Sequence, residues 1–119
     1  MRRAERFQLL NQVECGLRVV EGYEPGLGQR FRHGLATLGS GSIVFVPFAG
    51  GVRFLRRRPV TVSVQVVDRS EQRTSGFMAQ LSAIPGSRVI TVRTNTATLE
   101  WVLPPAQTAW ASQQVSPHS

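Results

Sequence analysis

The 119-residue chain contains no lysine. Its formal charge of +7 comes from fourteen arginines set against seven acids. The missing lysine fits a GC-rich genome, so the arginine content is not by itself a sign of guanidinium chemistry. The field it creates still attracts nucleic acid, anionic lipid or acidic protein. A single cysteine, Cys15, excludes an internal disulfide and leaves no cysteine cluster for structural zinc. A reducing compartment is its natural setting. Long hydrophobic runs are also missing: nothing approaches the ~20 apolar residues that span a bilayer. The start, MRRAERFQLLNQ, lacks the apolar core of a signal peptide. The chain as it stands reads as soluble, while Arg2, Arg3 and Arg6 would suit the cytoplasmic flank of a span lying upstream.

Catalytic signatures are scarce as well. The two histidines are His33 and His118, the second near the end of the chain. No His-x-x-x-His, paired metal carboxylates, Gly-x-Ser-x-Gly or Walker sequence occurs. The glycines at 22, 26, 28 and 34 precede a strand and lack the βαβ setting of a dinucleotide fingerprint. Cys15 would act as a nucleophile only beside a base and with a lowered pKa. On the inward side of a strand it reads as a packed thiol. These absences lead to the expectation of a protein that is not an enzyme and that holds no metal or cofactor.

What is present is period-two alternation. The hydrophobic fraction of 41% and charged fraction of 18% suit one folded domain. Val13, Cys15, Leu17 and Val19 alternate as one strand. Arg30 to Leu38 is extended, with Phe31, His33 and Leu35 on one face, while the opposite face carries Ala36 and Leu38 and leaves its sidedness open. Ser42 to Phe48 is almost wholly apolar, which suggests burial on both faces or a partner, and Pro47 places its end at an edge or bulge. Val60, Val62, Val64 and Val66 read as one strand facing one way. The polar run 69–75 reads as a loop, and Met78, Leu81 and Ile84 allow a short helical turn. Arg88–Arg93 and Thr96–Leu103 form a hairpin around Thr94-Asn95. After Pro104-Pro105 a helix follows, with Ala106, Ala109, Trp110 and Gln113 sharing a face.

The expected architecture is therefore mainly β: a small antiparallel barrel or sandwich of six or seven strands, with one C-terminal helix capping an open end. Residues 1–11 form a basic N-terminal segment, 12–115 the β-domain and 116–119 a frayed tail.

Strand order plus capping helix resembles the pleckstrin-homology-like (PH-like) superfold. The local words are similar to uncharacterised actinobacterial proteins with an N-terminal membrane span and a basic PH-like domain behind it. The matching words are Val13-Glu14-Cys15-Gly16-Leu17-Arg18, Gly34-Leu35-Ala36-Thr37-Leu38 and Ile43-Val44-Phe45-Val46-Pro47-Phe48. The arginine-rich lead into Val60 matches too, as do Pro85–Val92 and Leu99–Leu103. The resemblance implies the fold and a membrane-associated setting; it brings no established activity, and residues 1–11 contain no span.

Binding is the remaining class. Arg53, Arg56, Arg57 and Arg58 fall in a turn-to-strand connection, where loops commonly carry recognition. Guanidinium groups grip phosphate oxygens bidentately. Three readings stay open: a solvated lip that protects a sheet edge, a contact with an anionic membrane, or a contact with nucleic acid or an acidic partner. Nucleic acid is disfavoured, because the aromatics lie in apolar runs rather than between basic residues. No small-molecule substrate is indicated. Trp110 is either the anchor of the cap or a partner contact. The Ile43–Phe48 run offers a homo-oligomer surface. The expected function is a non-enzymatic binding or adaptor module, cytoplasmic or at the inner face of the cell membrane. The alternative is a protein-interaction or oligomerisation module whose charge is incidental.

Overall fold

The computed structural model describes residues 8–48, 58–74 and 88–117, with backbone alone for 69–74. Seven antiparallel strands form a curled half-barrel closed by one short C-terminal helix. They are β1 (Gln12–Gly22), β2 (Arg32–Gly39), β3 (Ser42–Pro47), β4 (Val60–Ser63), β5 (Val66–Thr74), β6 (Arg88–Arg93) and β7 (Ala97–Leu103). A 3-10 turn at Pro105–Gln107 leads into the helix α1 (Thr108–Val115). The outline matches that of a PH-like barrel with its capping helix.

The order across the sheet is β4-β3-β2-β1-β7-β6-β5. β1 is the hinge of this arrangement. Its first half pairs with β2 and its second half with β7, and Gly16 and Leu17 pair with both. The outermost strands β4 and β5 are separated in sequence by Val64 and Gln65 alone. So short a link between opposite edges forces the sheet to curl upon itself. Backbone bonds pin the corner: the Val64 N–H donates to the Gly41 carbonyl at 2.9 Å, and the Gln65 N–H donates to the Arg93 carbonyl at 2.8 Å.

The inward positions of each strand build one core. Cys15, Leu17, Ala36, Ile43, Phe45, Val62, Ile90, Val92, Leu99, Trp101 and Leu103 are its sealed centre. Burying each large side chain of this kind contributes about 1.5–3 kcal/mol. The outward face is covered too: Leu35, Phe48, Val89 and Val102 are buried but stand on the parity opposite to the core residues. Alternation read β6 and β7 as one-sided, left the sidedness of β2 open and gave Ser42–Phe48 burial on both faces or a partner. For Ser42–Phe48, two-sided burial is partial, with Val44 and Val46 half-buried. Pro47 lies two residues beyond the Phe45–Val60 pair, where β3 has no partner on the β4 side.

Three expectations are corrected. The valine run is two strands. Val64 and Gln65 form the corner, so Val66 turns outward and Val67 takes the core side. Most of the polar run 69–75 is strand: β5 continues to Thr74, with an irregularity between Asp68 and Arg73 in its pairing to β6. Strand preference depends on the neighbour available, and here β6 supplies it. The helix turns Thr108, Ala111, Ser112 and Val115 to the barrel, while Ala106, Ala109 and Gln113 are exposed. The 3-10 turn sets this phase, because it delays the helix to Thr108. The helical turn allowed at Met78–Ile84 lies outside the described residues.

Candidate functional site

Strand ends decide where Arg58 stands. β2 begins at Arg32, β3 ends at Pro47 and β4 begins at Val60, so all three meet at one end of the barrel. The β1–β2 loop folds over this end. Its Gly26 has φ +85°, and a Cβ there would lie 2.6 Å from a Val60 methyl, so the loop backbone sits directly on β4. Together these pieces bound an open groove of about 450 Å³, lined by Pro25, Gly26, Arg32, Pro47, Arg58, Pro59, Val60 and Thr61.

Two guanidinium groups therefore line one groove. Arg32 is half-buried and Arg58 is exposed. Three prolines stiffen its walls, since each fixes its own φ. Arg53, Arg56 and Arg57 lie outside the described residues. Arg32 was not singled out by sequence, because nothing in the sequence links it to the 53–58 run. Only the β2–β3–β4 register brings it to the same end as Arg58.

Trp110 is half-buried and packs against the edge of the core cluster. The packing agrees with a capping anchor. α1 is fastened by its own hydroxyls, with Thr108 Oγ1 donating to the Pro104 carbonyl and Ser116 Oγ to the Ser112 carbonyl, both at 2.8 Å. The Gly41 N–H donates to the Val115 carbonyl at 3.0 Å and so ties the helix end to the β2–β3 turn.

The nucleophile and base candidates part company. Cys15 pairs opposite Gly34, and Gly16 opposite His33. Cys15 thus points into the core and His33 to the other face. Burial pushes the Cys15 thiol up to about 12, against a small lowering from the Trp101 indole. That indole N–H makes no hydrogen bond of normal geometry and faces the Cys15 sulfur. A thiol held protonated is a poor nucleophile. His33 instead approaches Glu14, with Nε2 3.9 Å from Oε2, and tilts against the Phe48 ring at 5.6 Å.

The outward face holds a polar pair that sequence reasoning missed. Arg18 and Glu100 stand directly opposite across β1 and β7. Arg18 Nη2 lies 2.6 Å from Glu100 Oε1, and its Nε donates to the same oxygen at 2.8 Å. The guanidinium also stacks 4.9 Å from the centre of the Phe31 ring. Both residues fell on non-core positions, but pairing β1 with β7 was needed to bring them together. Among the described residues, no group of three or more His, Cys, Asp or Glu is placed to hold a metal ion. No helix among them is long and apolar enough to cross a membrane. Comparison with protein-family models, curated proteins and solved structures finds no match to this chain.

Proposed function

We propose that this protein is a non-enzymatic binding module that docks on an anionic membrane surface, at the cytoplasmic face, through Arg53, Arg56, Arg57 and Arg58. The observation that carries this reading is the placement of Arg58. It is exposed on the lip of an open groove that a second arginine, Arg32, also lines. Three further arginines, Arg53, Arg56 and Arg57, precede it within five residues of sequence and add to its charge. A phosphate-bearing head group entering the groove meets two guanidinium groups, each able to grip phosphate oxygens bidentately. The net charge of +7 draws the molecule toward such a surface before contact.

Sedimentation with vesicles containing anionic lipid tests the reading. Each arginine near such a surface contributes about 1 kcal/mol, so replacing all four with alanine is expected to weaken binding by roughly a thousandfold. Equal sedimentation of the wild type and the quadruple variant would remove the role assigned to this run.

A further inference from the structure

Three apolar side chains are exposed on the other half of the sheet and the loop that leaves it. Tyr23 is 69% exposed, and Val20 and Val66 are each 47% exposed. Val20 is exposed because β1 bulges there: Val19 pairs with Leu99 and Glu21 with Thr98, so one residue of β7 faces two of β1. Such bulges re-aim side chains. Tyr23 is held beside them, its N–H donating to the Thr96 carbonyl at 3.1 Å.

The registers place Val66 at one end of a row across four strands whose other end is Glu21, next to Val20 in the chain. Val66 pairs with Arg93, Arg93 with Thr98, and Thr98 with Glu21. The row reads apolar, basic, neutral, acidic, and Val20 and Tyr23 flank its acidic end along the chain. Arg93 and Glu21 are two strand spacings apart, roughly 10 Å. Glu21 is exposed. The Arg93 side chain is about half exposed, and its Nη1 lies 4.0 Å from Asp68 Oδ2, a loose contact.

A row of this kind is complementary to its own reverse. We propose that it is the interface of a homodimer, with a second copy of the chain as its occupant. A two-fold axis lying between the copies, along β7 at Thr98, reverses the row. Arg93 of each copy then faces Glu21 of the other, and Val66 meets the Val20–Tyr23 end. Symmetric dimers require such self-complementarity. The charges fix the register, and the apolar ends gain by leaving water. This surface differs from the arginine lip and does not depend on it.

Sedimentation velocity of the full chain over a range of concentrations tests the proposal. The wild type is expected to dimerise as concentration rises. Arg93→Glu sets two acids against each other and Glu21→Arg two bases, so each is expected to raise the dimer dissociation constant by about tenfold or more. The double variant carrying both exchanges is expected to recover dimerisation. Circular dichroism checks that each variant is folded. A wild type monomeric throughout, single variants that dimerise as well as it does, or a double variant no better than the singles would overturn the interface.

Discussion

Cys15 and Trp101 are sealed side by side in the core, and the thiol's environment has a measurable consequence. The folded thiol titrates near 12, against 9.0 when unfolded. Between those values the unfolded chain has lost a proton that the native one keeps. Stability is therefore unaffected by this group below pH 9.0 and falls as pH rises toward 12, by about 1.4 kcal/mol per unit. Urea titrations at several alkaline pH values are expected to show a shallower loss in Cys15→Ala than in the wild type. A thiol reagent is expected to label Cys15 only as the protein unfolds. Arg18 is the second informative residue. Its guanidinium holds the Glu100 carboxylate, which is largely buried, and covers Phe31. Arg18→Ala is expected to cost about 2–3 kcal/mol in urea unfolding, because it removes a buried acid's cation together with its packing. The inward thiol was readable from the alternation Val13, Cys15, Leu17, Val19. The ion pair was not, since Arg18 and Glu100 are 82 positions apart and meet only through the β1–β7 register.

Strands and helix differ in how openly the sequence announced them. β1, β6 and β7 follow alternation strong enough to read directly, β3 stands out as an almost wholly apolar run, and the proline pair at 104–105 marked the approach to the helix. β5 was hidden because an edge strand is served by polar and charged residues, the same ones that fill loops. The helix face was misread because phase depends on the 3-10 turn, and a short sequence with one large anchor shows no clear amphipathic stripe. Val66 was misplaced because a corner of two residues reverses the parity of everything after it. These points locate the cap's hold on the barrel at Val115 and Ala111, both fully buried, with Trp110 at the margin. Val115→Ala is expected to lower stability by about 2 kcal/mol in thermal or urea unfolding, because the cavity opens inside the cap. Gln113→Ala, on the exposed side of the same helix, is expected to change it by less than about 0.5 kcal/mol.

The two surfaces proposed for contact lie on one curled sheet. Arg32 and Arg58 line a groove where β2, β3 and β4 meet, and the Val66–Glu21 row lies on the half formed by β5, β6, β7 and β1. A dimer built on that row leaves the groove of each copy open, so two arginine lips would serve one assembly. The net charge of +7, with Arg32 and Arg58 lining one groove, is the basis of the membrane reading. Long-range attraction of this kind is screened by salt, whereas apolar contact is not. The most direct measurement is partition of the wild-type protein onto vesicles of graded anionic-lipid content, at low and at physiological salt. The account predicts binding that rises steeply with the anionic fraction, weakens with salt and vanishes on neutral vesicles. Equal binding to neutral and anionic vesicles, or none to either at low salt, would contradict it.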